Sequence, residues 1–538
     1  MTGTVSPRPR DRIPFDVVCS MLLLVVPFWS YLHYQAYSLL RPESLAISAI
    51  LLVLGGAYGV LVHRTRSEYV RVVLIAVLVI VSIDLMMDIH EWRAVRYIAI
   101  FGGTWLLRLH ITRILTLMSL AYLASAVATG PTRGDRIFRA TTPSVARDLP
   151  PLVHLIMDAH IGAEGLPMEQ ASGRAAKEAL IQYYTQRGFR LFTRAYSRYY
   201  KTEDAIPNEL NFTASRTKSV WMDRSETGGT PALLRNAYFR RLEQAGYETN
   251  VYHPPFIDYC EPSRRTTRSC YMAPSVRHLP ALHLSWATST WYVAVFWLTN
   301  ESSSLLWARD LYELRLRKAL VSLGWAAPHW AWMNVRLGQA GALAITHRMA
   351  DDIAAIPSLR GEAFFSHVLL PHLPYLVNEN CEGKADIAQG MLPDLVGRRR
   401  PLPEARRARY VQYGLQLACV RRLVDTVLSK LDARGARDAV VIVQGDHGSR
   451  IGSTPALGQP LSRQSFNDFY STLFAIRGPG ITSGTDTTVV ALEDLLDRYS
   501  AAGFKDTTFP ADSPPYVLLG EVELPARHLV PVPVPEPR

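Results

Sequence analysis

Cysteine is scarce in this chain: five in 538 residues, none in a CxxC pair, which excludes a ribbon- or finger-type structural zinc site. No run of Lys and Arg is interleaved with stacking aromatics, so the net charge of +11 does not point to nucleic acid. No internal repeat is present. No small-residue cleavage site follows the first apolar segment, which excludes reading it as a cleavable signal peptide. Long apolar runs are scarce beyond residue 130. The 48% apolar content crowds instead into the first quarter of the chain.

After a basic, polar start at Met1 to Arg12 come five apolar segments: Phe15–Tyr34, Leu45–Val62, Val70–Asp88, Val95–Leu107 and Ile111–Ala128. The first three approach the roughly 20 residues that cross a hydrocarbon core. The basic stretches His63-Arg64-Thr65-Arg66 and Arg108 to Arg113, with the basic N-terminus, predict an N-inside, five-span, multi-pass protein of a bacterial cytoplasmic membrane. An odd number of spans sets everything after Gly130 outside the cytoplasm, on the periplasmic side. A later apolar, Trp-rich segment, Leu284–Leu298, is expected to be a core helix of the globular part, or else to rest on the membrane surface.

The expected organisation is a transmembrane domain over 1–129, a linker over 130–149, a catalytic domain over 150–525 and a Pro-rich, unstructured tail over 526–538. Short apolar runs alternate with helical patterns from Pro150 onward. This predicts an α/β domain with a largely parallel central sheet. An extracytoplasmic domain admits two disulfides, and Cys260–Cys270 with Cys381–Cys419 is the preferred pairing; Cys19 sits in a hydrophobic span.

Chemistry in such sheets collects beyond the carboxyl ends of the strands. The apolar run Leu152–Met157 ends in Asp158, and Ala439–Val443 leads to Gln444-Gly445-Asp446-His447-Gly448. Carboxylates, an imidazole and the hydroxyl of Thr202 suit a divalent cation such as Zn²⁺ or Mn²⁺, with Mg²⁺ or Ca²⁺ as further candidates. Such a cation lowers the pKa of a hydroxyl and makes it a nucleophile. A lone acid after a strand is more often a turn residue; the joint order of these positions carries the reading.

That order resembles the alkaline phosphatase/sulfatase superfamily. His154-Leu155-Ile156-Met157-Asp158 is similar to the first strand and its metal-binding acid. Gly188 to Ser197, then Thr202 and Ala205-Ile206-Pro207-Asn208-Glu209-Leu210, is similar to a strand leading to a threonine nucleophile and an SIPxLL-like pattern. Phe365 to Tyr375 resembles the HxPY segment, and Val441 to Gly448 the DHG segment. With apolar segments in front, the whole looks like lipoteichoic acid synthase and the phosphoethanolamine transferases. The resemblance implies that Asp158, Thr202, Asp446 and His447 hold the metal and that Thr202 forms a phospho-intermediate. It implies that His372 contacts substrate or protonates the leaving group. Arg450 would hold an anionic oxygen or else cap a loop, His367 would be structural, and His160 would be a near neighbour of the site or a surface histidine. Sulfatases carry two adjacent acids after the first strand, whereas Ala159 and His160 follow Asp158 here. Phosphoethanolamine transferases usually carry a glutamate at that first position.

Cys260-Glu261-Pro262-Ser263-Arg264 matches the CxPxR signature that sulfatases convert to formylglycine, but its spacing differs. Cys260 lies 102 residues beyond Asp158, against 44 for Thr202. The expected function is transfer of a phosphoglycerol- or phosphoethanolamine-type group from a membrane phospholipid to an envelope glycan or lipid, with no nucleic-acid partner. The alternative is a membrane-anchored sulfatase or phosphodiesterase. A catalytically dead scaffold is disfavoured because every site position holds a workable residue.

Overall fold

The computed structural model describes residues 13–86, 93–129, 136–139, 148–167, 171–217, 222–223, 231–260, 267–273, 276–301, 311–323, 338–384, 403–452, 458–509, 515–520 and 529–535. The chain divides into two compact units. One joins Met1–Gly134 to Leu284–Arg336; the other joins Asp135–His283 to Leu337–Arg538.

The first unit is helical: α1 (Ile13–Tyr34), α2 (Pro42–Arg64), α3 (Glu68–Asp84), α4 (Arg93–Leu106) and α5 (Ile111–Thr129). Five spans are not supported. Among the described residues, only Phe15–Tyr34 and Pro42–Arg64 are long and apolar enough to cross alone, and a third span arises only if the bent pair Tyr97–Leu106 and Ile111–Ser125 counts as one, across its 118° break. At 17 residues, α3 is about 26 Å long, short of the hydrocarbon core. Its Arg71 is buried and pairs with Asp16 of α1 at 2.7 Å, a polar contact that hydropathy along the sequence does not register. Leu284–Leu298 does not enter the globular core. It forms α6 (Trp286–Glu301), which packs on α1 and α2, with Trp297 against Phe28 at 5.0 Å between ring centroids.

The second unit is built on a nine-stranded sheet: β1 (Arg136–Arg139), β2 (Leu152–Met157), β3 (Arg190–Phe192), β4 (Glu248–His253), β5 (Thr267–Met272), β6 (Glu362–Val368), β7 (Val440–Gly445), β8 (Phe474–Arg477) and β9 (Gly484–Asp486). The spatial order is β1-β5-β4-β6-β2-β7-β8-β3-β9. The run β5-β4-β6-β2-β7 is parallel, while β1 and β8 run against their neighbours. Central strands β2, β6 and β7 are buried at every position, as strands covered on both faces must be. That is why β2 and β7 read as nearly continuous apolar runs, whereas β6 carries the buried polar residues Glu362, Ser366 and His367.

Several helices flank the sheet. Among them are α7 (Thr202–Glu209), α8 (Ala237–Ala245) and α9 (Pro403–Ala433). Helix α8 starts at Ala237, capped by the Asn236 side chain accepting from the Phe239 N–H, just after Ala232–Leu233 pairs with Met222–Asp223. The expected unstructured tail instead contributes a strand: Val530–Pro533 pairs antiparallel with Tyr516–Leu519. The Pro residues alternate with Val there and leave a short two-stranded ribbon. Residues 1–12, most of the 130–149 linker and residues 536–538 lie outside the described residues.

Candidate active site and metal centre

Register aligns the site. Val368 of β6, Met157 of β2 and Gly445 of β7 are direct neighbours at the carboxyl ends of three adjacent parallel strands. The next residues, Asp158 and Asp446-His447, therefore emerge side by side. The Asp158 N–H donates to the Val368 carbonyl at 2.9 Å. Asp446 Oδ1 accepts the Ala159 N–H at 2.8 Å and the His447 N–H at 2.9 Å. Ala159 holds φ at +62° and Arg450 at +55°, left-handed backbone that non-glycine residues adopt rarely and that clusters at functional sites. The turn after His447 also demands a residue without a side chain. A Cβ on Gly448 would stand 2.6 Å from the Asp468 carbonyl oxygen.

Thr202 opens α7, and its hydroxyl lies 3.2 Å from His447 Nε2. The same Nε2 lies 3.7 Å from Asp158 Oδ1 and 3.5 Å from Asp446 Oδ2. Ligand atoms of Asp158, Asp446 and His447 all fall within 4.8 Å of one another, and the three residues are buried. Asp158 Oδ1 and Asp446 Oδ2 have no hydrogen-bond partner among the described residues. Two buried carboxylate oxygens left unpaired are costly, and a divalent cation is the partner that such a donor set fits. His447 Nδ1 lies 2.7 Å from the Gly448 carbonyl, which fixes the proton on Nδ1 and leaves Nε2 as a ligand.

His367, expected to be structural, points into this cluster. Its Nε2 is 3.5 Å from Asp158 Oδ2, and its Nδ1 is held by the Tyr259 hydroxyl at 2.9 Å. Burial opposes ionisation of Asp158, but His372, His367 and His447 more than offset it and hold the carboxyl well below the usual carboxylate range. Burial pushes His447 down, toward the neutral imidazole that binds metal. His160 is not on the surface: it is fully buried, its Nδ1 lies 3.0 Å from the Ile161 carbonyl, and burial lowers its pKa to about 4.

His372 follows β6 on a loop held from α9. Gln416 accepts the Leu376 N–H at 3.0 Å and donates to the Pro371 and His372 carbonyls at 2.9 and 3.1 Å. One turn on, Cys419 is bonded to Cys381 of the same loop. His372 Nδ1 faces the Leu373 carbonyl, and its Nε2 lies 2.7 Å from Arg450 Nη2. Arg450 thus reaches toward His372, and its backbone N–H donates to the Asp468 carbonyl at 2.7 Å.

Cys260 is bonded to Cys270, with His253 Nε2 at 3.7 and 3.5 Å from the two sulfurs. A sulfur so engaged is neither a nucleophile nor a metal thiolate. The remainder of the CxPxR segment, Glu261 to Arg264, lies outside the described residues. Sequence reasoning missed Tyr259, Gln416 and Tyr413. The Tyr413 hydroxyl donates to the Ala159 carbonyl and accepts the Ile161 N–H, both at 2.8 Å. No sequence signal marks a buried tyrosine or glutamine that acts from a distant helix or loop.

No protein-family model matches the chain, and no curated protein matches its sequence. Solved structures do match in part. The C-terminal periplasmic domain of EptC from Escherichia coli, in complex with Zn, shares 11% identity at a TM-score of 0.42, covering 74% of this chain and 95% of that one. A sulfatase from Bacteroides thetaiotaomicron shares 12% identity at a TM-score of 0.42, covering 69% of this chain and 77% of that one. BT1596, a 2-O GAG sulfatase, shares 13% identity at 0.38, over 68% and 72%.

Proposed function

We propose that this chain is a membrane-attached, metal-dependent enzyme of the alkaline phosphatase/sulfatase type. It moves a phosphoglycerol- or phosphoethanolamine-type group from a phospholipid, through Thr202, to an envelope glycan or lipid. The observation that carries this reading is the position of the Thr202 hydroxyl, 3.2 Å from His447 Nε2 beside two unpaired buried carboxylate oxygens.

Asp158, Asp446, His447 and the Thr202 hydroxyl would hold the cation; Zn²⁺ and Mn²⁺ suit that set best. When bound, it supplies Lewis acidity that lowers the threonine pKa and offsets charge on the phosphoryl oxygens. Thr202 sits at the first residue of α7, where the helix N-terminus favours a developing negative charge. Its oxygen forms a bond to phosphorus as the bond to the lipid alcohol breaks, leaving a phosphothreonine diester. Arg450 leaves His372 for the incoming anion, and its charge meets the equatorial oxygens. That exchange frees His372 Nε2 to take up the proton that the Thr202 hydroxyl gives up, to hand it to the departing alkoxide, and then to accept the proton of the second alcohol, which returns to the Thr202 oxygen as it leaves. The second alcohol then displaces Thr202.

The test is incubation of the full-length protein with vesicles carrying a headgroup-labelled phospholipid. Label on a glycan or lipid acceptor supports transfer. Label released only into water makes the enzyme a phosphodiesterase. Turnover of sulfate esters with no reaction on the phospholipid overturns the proposal.

A further inference from the structure

We infer that α6 is an interfacial helix. The catalytic unit's chain carries it into the outer-leaflet headgroup region, where it binds glycerophospholipid without crossing the bilayer. The inference rests on reading α1 and α2 as membrane helices, not on the chemistry of Thr202.

The excursion Leu284–Arg336 leaves the α/β unit after β5 and returns before β6. Both strands pair with β4 in one sheet, so they lie on one side of any bilayer. The excursion therefore crosses an even number of times. At 16 residues, α6 is about 24 Å long, short of a hydrocarbon core of about 30 Å. The described helical stretch that follows, residues 311–323, is only 13 residues long and carries Glu313, Arg315, Arg317 and Lys318, too short and too charged to be a return span. Among the described residues of the excursion, the even number is therefore zero.

Yet α6 packs against the two helices that are long and apolar enough to span. Its Trp297 meets Phe28, six residues before the end of α1. That places the contact about 9 Å below the end of the helix, the depth at which interfacial helices lie. This end of α1 is rich in the aromatics that mark a headgroup boundary: Trp29, Tyr31, Tyr34 and, just beyond, Tyr37. Trp286 and Trp291 of α6 face outward, at 63% and 36% exposure.

The same layer holds polar atoms that await a partner. Tyr292 Oη and Trp297 Nε1 on α6, and Ser30 Oγ and His33 Nε2 on α1, are buried and find no hydrogen-bond partner among the described residues. Ester and phosphate oxygens of a glycerophospholipid are acceptors for indole and phenol donors. Helix α6 would thus give the enzyme a lipid-facing surface independent of the transmembrane spans.

The test places nitroxides at Trp286→Cys and Trp291→Cys in a Cys19→Ser background, in proteoliposomes of the full chain. Collision with lipid-soluble oxygen is compared with collision with a water-soluble nickel chelate. Leu54→Cys on α2 serves as the lipid-facing control and Glu243→Cys as the aqueous one. Oxygen-to-nickel ratios several-fold above that of Glu243→Cys are expected at both α6 sites, short of Leu54→Cys. Ratios equal to that of Glu243→Cys overturn the inference. A nickel-accessible Leu54→Cys overturns both it and the membrane reading of α2, while leaving the Thr202 chemistry untouched. If labelling disturbs folding, Trp286→Phe with Trp291→Phe is measured instead. Tryptophan quenching by phospholipids brominated near the glycerol end must fall; unchanged quenching overturns the inference.

Discussion

Asp446 divides its carboxylate between two tasks. Oδ1 accepts the N–H of Ala159, 287 positions earlier in the chain, at 2.8 Å, while Oδ2 stays unpaired toward His447. One oxygen locks the turns after β2 and β7 together, and the other is left for a cation. Asp446→Asn keeps an acceptor for Ala159 but removes the charge. It is expected to lower divalent-metal affinity by at least about tenfold with the thermal transition nearly unchanged. Metal content after dialysis, read by mass spectrometry beside a melting curve, checks this. Undiminished metal content would remove Asp446 from the ligand set.

The Tyr259–His367–Asp158 chain makes a second prediction. The Tyr259 hydroxyl orients His367, and His367 faces Asp158 Oδ2 at 3.5 Å. Tyr259→Phe and His367→Gln should each weaken metal affinity by about 10- to 100-fold, the usual effect of losing a partner that orients a ligand. Titration with Zn²⁺ against a chelator of known affinity reads it. A purely structural His367 would lower the melting temperature without moving metal affinity.

Replacing both Cys260 and Cys270 with Ser removes a cross-link over ten residues. Stability should fall by about 2–4 kcal/mol in denaturant titration, with turnover retained below the new midpoint. Complete loss of turnover in a folded double variant would restore Cys260 as a nucleophile.

The pH response follows from His154, which lies in β2 beneath the site and contacts the Tyr238 hydroxyl at 3.2 Å. Burial lowers its pKa from 6.5 to about 3. The folded state keeps it neutral where the unfolded state takes a proton, so its contribution is intact above pH 6.5 and is lost as pH falls toward 3. The slope approaches one proton, about 1.4 kcal/mol per pH unit. His154→Phe should flatten the acid limb of the stability curve by that amount, measured by denaturant midpoints at successive pH values.

The strands that carry the ligands were legible because β2 and β7 are buried on both faces and so read as apolar runs ending in Asp158 and Asp446-His447. Tyr259, Tyr413 and Gln416 were not, since each reaches the site from an element far away in sequence. The span count failed for a different reason: where a helix stops or bends decides whether an apolar run can cross, and α3 ends after 17 residues while Tyr97–Leu106 and Ile111–Ser125 break by 118°. Nor could sequence assign α6, whose apolar face fits a globular core as well as a membrane helix. The packing of Trp297 on Phe28 decided it.

The central claim is that Thr202 is the nucleophile. Thr202→Ala should cost at least about a thousandfold in turnover, but the intermediate itself is the more direct reading. Peptide mass spectrometry of protein purified from native membranes, covering Thr202 and Cys260, should find a phosphoglycerol or phosphoethanolamine mass on Thr202 and the Cys260–Cys270 disulfide intact. Formylglycine at Cys260 with Thr202 unmodified would contradict the account and make this enzyme a sulfatase.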